Sequence, residues 1–462
     1  MTKSLEELGF KAMKRLARVM CADRGEIPMR RFHEFLKTLG TTHGAVVSNR
    51  MLRRVDAVAD RFIVRPREWF PFHAGTSEHG DVSTPGHARL VPNPRRERGY
   101  GGPPTGATRP ISFHRTMPGY APTPVVAMPE LARTHRVAGI AVKNEQERLG
   151  LPSFKLLGNS WAFHERVKAV AGLSPDALIA FPDLSRIARG LGPPTLCTAS
   201  DGNHGRAVAA LAEALGCGCV VLLPADSAAS RIDSIKGHGA TVELVDGSYD
   251  DAVAAARATA RARGHWYCPD TVGAEASDED RRFASDVMTG YGTLFEEFFE
   301  QILRPPDLLF VQAGVGGLSA AAAASLRRVS ATAKVVVVEP EGSNAIALSF
   351  GSGAPVSVPD TQTVMACLRC QSVSFVAWPI LLAGVDAAMV VTDDEAAAAV
   401  RQLARRGVIA GASGAAGLAG ALVASADGML RARLGITPHS QVAVLNTEGA
   451  TDPASYAAIL AG

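Results

Sequence analysis

The 462-residue chain has no uninterrupted apolar stretch approaching the length of a membrane span, although 47% of its residues are hydrophobic and its mean hydropathy is +0.09. That absence predicts a soluble protein with no membrane partner. The start, Met1–Leu8 (MTKSLEEL), mixes acids and bases and lacks a basic segment leading into an apolar run. No secretory signal is therefore expected, and an intracellular, cytoplasmic location follows. Charge of one sign is also missing: 48 Lys and Arg against 45 Asp and Glu leave +3, too little to imply a nucleic-acid partner. Cysteines are few, scattered and odd in number, seven in all, and mostly sit among apolar neighbours, as Cys217 and Cys219 do. They read as buried thiols. Cys367 and Cys370 form a Cys-x-x-Cys, which suits redox chemistry or a metal, but no second pair or nearby histidine completes a zinc site, and no metal is expected.

Size allows two or three domains and a substantial core. Residues 1–70 carry apolar positions at helical spacing, with Leu5, Leu8, Met13, Leu16 and Met20 set among basic residues, and read as a partly helical extension. Its role is open: regulatory, oligomerising, or none. Residues 71–110 are rich in Gly, Pro, Ser, Thr and Arg, the composition of a flexible tether. From 111 to 462, short apolar runs such as Cys219–Pro224, Thr241–Val245, Leu308–Gln312, Lys334–Glu339 and Val442–Asn446 alternate with alanine-rich helical segments. This alternation predicts an α/β fold of mostly parallel sheets covered by helices on both faces. Ligands of such sheets bind at the carboxyl ends of strands.

Three segments carry the chemistry. Leu151–Gly158 (LPSFKLLG) places Lys155 among Phe154, Leu156 and Leu157. Partial desolvation there disfavours the ammonium and leaves an amine able to form a Schiff base with an aldehyde, pyridoxal phosphate being the obvious one. Thr198–Gly205 (TASDGNHG) reads as a strand entering a polar turn and then a helix, with Ser200 or Asp201 also suited to capping that helix. Phe310–Ser319 (FVQAGVGGLS) follows a strand and opens an alanine-rich helix, the layout of a phosphate cradle. A short glycine-rich turn is weak alone; lysine, polar turn and cradle in this order are much stronger.

With these segments in place, the chain from about Ile111 to its C-terminus resembles the fold type II pyridoxal-phosphate enzymes, and among them the diaminopropionate ammonia-lyase family. The resemblance is carried by Phe113–Pro124, Lys143–Glu145, Phe154–Gly158, Asp201–Arg206, Arg231–Ile235, Tyr249–Asp251, Gln312–Gly317 and Asn446–Asp452. The lysine, asparagine and glycine-loop motifs are shared across the superfamily, whereas Asp201 beside Gly202 and Asn203, and the TEGATD ending, are more particular to the lyases.

The resemblance implies a two-lobed architecture with the cofactor between lobes, the smaller lobe lying within about 160–260, and a homodimer. It implies Lys155 as the Schiff-base lysine, Asn203 against the cofactor's phenolic oxygen, and the loop Gly314, Val315, Gly316, Gly317 and Leu318 against its phosphate. Thr447 would meet the pyridine nitrogen. A hydroxyl partner leaves that nitrogen neutral and the ring a weaker electron sink, which favours elimination over transamination. Asp201 and Asp270, with Tyr249 beside them, would attract a small amino-acid substrate bearing two ammonium groups, and a carboxylate opposite Lys155 would serve the mirror-image substrate. From the residues alone, Asp201 also suits a helix cap and Asp270 a turn. Lys143 is expected in a surface ion pair and His204 packed against the ring or on a backbone carbonyl, neither with a catalytic step.

Two departures bear on the substrate. Gln371–Ser374 stands where the lyases carry a Gly-Glu-Pro-like stretch, and Ala412 where a glutamate is common. Both remove anionic groups expected near the site. A serine or threonine dehydratase, a β-replacement enzyme and a non-catalytic cofactor-binding sensor are the alternatives to a lyase.

Overall fold

Each interior strand of the larger sheet has to bury both of its faces, and its sequence shows how. In Lys334–Pro340, Val335 and Val337 join one hydrophobic core while Val336 and Val338 join a second on the opposite face. The strand Leu308–Gln312 divides in the same way, with Leu309 and Val311 on one side and Leu308 and Phe310 on the other. Side chains alternate across a strand, so a sheet covered on both faces needs an unbroken apolar run.

The computed structural model describes residues 89–103, 106, 108–200 and 202–462. The extension assigned to 1–70, and Asp201, lie outside the described residues. In chain order the strands are β1 (Leu90–Pro92), β2 (Val125–Ala127), β3 (Gly139–Asn144), β4 (Thr195–Ala199), β5 (Gly218–Pro224), β6 (Thr241–Val245), β7 (Trp266–Tyr267), β8 (Leu308–Gln312), β9 (Lys334–Pro340), β10 (Ala387–Val391) and β11 (Gln441–Asn446). They form a seven-stranded sheet in the order β1-β10-β9-β8-β11-β3-β2 and a four-stranded sheet in the order β6-β5-β4-β7. The smaller sheet is parallel throughout; in the larger, only the edge strands β1 and β2 run antiparallel to their neighbours. The second sheet runs from Thr195 to Tyr267, slightly beyond the range anticipated for the smaller lobe.

The helices that matter for the site are α1 (Lys155–Val170), α2 (Asn203–Leu215), α3 (Tyr249–Arg263), α4 (Gly317–Val329) and α5 (Ala412–Ala426).

One expectation from composition needs correcting. Within the stretch read as a tether, Leu90 is buried, β1 pairs with β10, and the Asn93 amide donates to the carbonyls of Leu382 and Val385, both at 2.8 Å. A strand of three residues leaves almost no periodic signal, and its pairing partner lies nearly 300 residues away, so composition dominates the reading.

Candidate active site

Five strands deliver the site, each at its carboxyl end. β3 leads through residues 145–154 to Lys155; β4 leads to Ser200 and Asn203; β7 to Asp270; β8 to the glycine loop 314–317; β11 to Thr447 and Glu448. The cleft they line brings together Lys155, Asn203, Tyr249, Asp270, the loop from Gly314 to Leu318, and Thr447. Every described residue predicted for the site is therefore in one place.

Lys155 opens α1, with Leu156 and Leu157 turned into the core and its own amine left at the cleft, 5.8 Å from the centre of the Phe154 ring. The amine donates to Asp270 Oδ2 at 2.8 Å, and the Tyr249 hydroxyl donates to Asp270 Oδ1 at 3.0 Å. Burial alone would raise the Asp270 carboxyl. The facing His204 ring, the Lys155 ammonium and the hydrogen bonds from Lys155 and Tyr249 reverse this and hold it far below the usual carboxylate range. His204 Nε2 donates to the Cys268 carbonyl at 2.9 Å, while its Nδ1 meets the Asn159 amide nitrogen at 3.2 Å. His204 Nδ1 also lies 3.8 Å from Asp270 Oδ2. Asp270 is thus a firmly anionic anchor that aims the lysine.

In the polar turn after β4, Ser200 Oγ accepts from the backbone N–H groups of Gly202 and Gly205, both at 2.8 Å, the second of them in the first turn of α2. Asn203 begins α2 and points its amide nitrogen at the Glu448 carboxylate and, at 3.4 Å, at Cys367 Sγ.

At the other end of the cleft, Gly316 has φ +94°, a left-handed conformation that a side chain would strain, and the chain turns there into α4. The first-turn N–H groups of α4 have no acceptor within the helix and carry its positive dipole end. Thr447 Oγ1 accepts from the Gln312 amide at 2.9 Å, which leaves the hydroxyl hydrogen to be donated elsewhere.

An aldehyde-capturing amine, a helix start bared by glycine and a buried hydroxyl donor on one cleft fit pyridoxal phosphate. Lys155 would hold its aldehyde carbon, the 314–318 loop its phosphate, and Thr447 its ring nitrogen. These features define a class, the lysine-dependent pyridoxal-phosphate enzymes built on two parallel-sheet lobes.

Comparison with known proteins agrees. The model of the family described as pyridoxal-phosphate dependent enzyme matches residues 116–448. The diaminopropionate ammonia-lyase of Escherichia coli strain K12 is 32% identical over 360 residues, covering 74% of this chain and 88% of that protein. Two crystal structures of the Escherichia coli enzyme superpose on 80% of this chain and 96% of theirs. One, in complex with D-serine, gives a TM-score of 0.73 at 29% identity; the other, in complex with an aminoacrylate-PLP azomethine reaction intermediate, gives 0.71 at 28%. The chain belongs to the pyridoxal-phosphate dependent enzyme family and, within it, to the diaminopropionate ammonia-lyases.

Several cleft residues escaped sequence reasoning. Glu448 sits inside a motif already singled out, but nothing local says that its side chain turns inward. Cys367 and Cys370, considered as a metal or redox pair, line the cleft beside Gly314 instead, where a Cβ on that glycine would come within 2.9 Å of Cys370 Sγ. No group of three or more metal-ligating side chains occurs among the described residues. Tyr291 also reaches the cleft, its ring edge-on to Phe154 at 4.8 Å, and burial first, then Asp270, pushes its hydroxyl up to about 12.

Proposed function

We propose that the protein is a pyridoxal-phosphate-dependent ammonia-lyase that converts 2,3-diaminopropionate and water to pyruvate and two ammonia molecules. The observation that carries this reading is the Lys155–Asp270–Tyr249 arrangement facing the α4 start across one cleft. When bound, pyridoxal phosphate supplies an aldehyde that captures amines and a ring that draws electrons from the substrate's α-carbon. The protein supplies the rest. Lys155 would take the α-proton at Nζ, with Asp270 keeping that nitrogen oriented. Thr447 would meet the ring nitrogen with a neutral hydroxyl rather than an acid, a setting suited to loss of the β-amino group directly after proton removal. Released aminoacrylate hydrolyses to pyruvate and the second ammonia. Asp201 is assigned the α-proton of the opposite enantiomer on sequence grounds.

A small amino acid as the partner, a homodimer and a cytoplasmic setting belong to the same reading. No single helix among the described residues is long and apolar enough to cross a membrane.

The test is keto-acid and ammonia release from purified holoenzyme given diaminopropionate, serine and threonine. Two ammonia molecules per pyruvate from diaminopropionate support the lyase. Turnover confined to the hydroxy amino acids would replace it with a dehydratase, and no turnover of any with cofactor bound would favour a sensor.

A further inference from the structure

Two carboxylates line the cleft among the described residues, Asp270 and Glu448, and they are in opposite situations. Asp270 holds the Lys155 amine. Glu448 is 3% exposed and accepts from the Asn203 amide, from the Cys367 thiol at 3.4 Å and from the Thr451 hydroxyl at 3.4 Å. All three donors are neutral, and no lysine, arginine or histidine of the described residues pairs with it. Removing a carboxylate from water without a counter-charge costs several kcal/mol. Glu339, another buried carboxylate without a cation, shows how a purely structural one is treated. The first N–H groups of helix Ala345–Ser352, on Ile346 and Ala347, each reach it at 2.8 Å. The start of α5 lies beside Glu448, with Gly411 as its N-cap, but no backbone N–H of the described residues makes a hydrogen bond to this carboxylate.

The pocket around Glu448 is built for it. A Cβ on Gly411 would collide with its Oε1, and a Cβ on Gly414 would meet Asn446 Oδ1 at 2.5 Å, the Glu448 carbonyl at 2.9 Å and its Cγ at 3.0 Å, so a side chain at either glycine would displace this corner. Its backbone is pinned by a bridge to Ser153, two residues before Lys155. A fixed, buried carboxylate opening on a substrate cleft is suited to a cation carried by the ligand.

We infer that Glu448 receives the second ammonium group of a diamino acid and so determines the preference for 2,3-diaminopropionate over hydroxy amino acids. The inference rests on the lyase reading above and names the residue that selects within it. It also answers the two departures noted in the sequence: with Ala412 and Gln371–Ser374 offering no carboxylate and Asp270 engaged by Lys155, Glu448 is the cleft carboxylate left for the task among the described residues. A hydroxyl group in place of the ammonium leaves Glu448 uncompensated, which penalises serine.

The experiment uses Glu448→Gln in the holoenzyme, because glutamine still accepts from the Asn203 amide but carries no charge. The affinities for diaminopropionate and D-serine are read from changes in cofactor absorbance, and the diaminopropionate KM from pyruvate release. Diaminopropionate binding and KM should weaken by about tenfold or more while D-serine changes less than about twofold. Parallel losses for both ligands would mark a merely structural residue, and no change for either would leave Glu448 without a role; both overturn the inference. If the glutamine variant does not accumulate, Glu448→Asp decides: a retained preference for diaminopropionate supports the cation site, and a lost one overturns it. Absence of wild-type turnover would strike the lyase reading alone, since the absorbance arm still reports on Glu448.

Discussion

Two buried groups of charged side chains bear on the segment that delivers Lys155, and they are organised differently. In the first, Lys143, Glu145, Arg148 and Glu297 are all within 1% of complete burial. Arg148 donates to both oxygens of Glu145 and both of Glu297, and Lys143 Nζ donates to Glu297 at 2.8 Å. Two cations meet two anions and nothing is left over. The second group, in the cleft, pairs Lys155 with Asp270 and leaves Glu448 with neutral donors only. A closed account of charge marks architecture, and an open one marks a place for a ligand. The closed group ties the 145–154 segment to the body of the larger lobe: Glu145 N–H donates to the Asn446 carbonyl at 2.7 Å, just ahead of Thr447 and Glu448. Lys155 and the C-terminal motif are thereby set by one support.

The comparison can be broken at its largest point by Lys155→Ala. Turnover should fall by at least roughly a thousandfold, with folding intact by circular dichroism. A variant retaining a tenth of wild-type rate would move the chemistry elsewhere. Breaking the closed group instead should cost stability before chemistry: Arg148→Met leaves Glu145 without its cation and Glu297 with Lys143 alone, and should destabilise by about 3–5 kcal/mol in denaturant unfolding. A loss under about 1 kcal/mol would mean that the network is incidental. Asp270→Asn keeps the shape but removes the anion that aims Lys155, and kcat should drop about ten- to a hundredfold with KM little changed. An unaltered kcat would remove Asp270 from the mechanism.

The smallest effect sharpens the same contrast outside the site. Asp286 is pushed up to about 7, first by burial and then by Glu165, against the pull of Lys168 and Arg282. Because its folded value lies above the unfolded one of about 3.9, its contribution to stability is present below about pH 4 and is lost as pH rises toward 7. Asp286→Asn should therefore add on the order of 1 kcal/mol at pH 8 and almost nothing at pH 4. A gain independent of pH would contradict this imbalance.

Legibility followed chain distance. Lys155, Asn203, the glycine loop and Thr447 each lie in a short motif whose neighbours dictate a strand end or a helix start, and they were readable for that reason. So were β5, β6, β8, β9 and β11, whose apolar runs need no partner to be recognised. What sequence reasoning missed depends on groups far apart in the chain. Lys143, expected in a surface pair, is fully buried because Glu297, on helix Gly292–Gln301, comes 154 positions later to meet it. β1 was masked by the proline and arginine around it, and Glu448 turns inward against the glycines at 411 and 414. Periodicity reports the face a residue occupies, not the charge that will face it.

The chemistry depends most on the amine at position 155. Borohydride reduction of the holoenzyme, followed by proteolysis and mass spectrometry, locates the cofactor directly. A single phosphopyridoxyl adduct on the peptide containing Lys155 is the predicted result; an adduct on another lysine, or none, would contradict it.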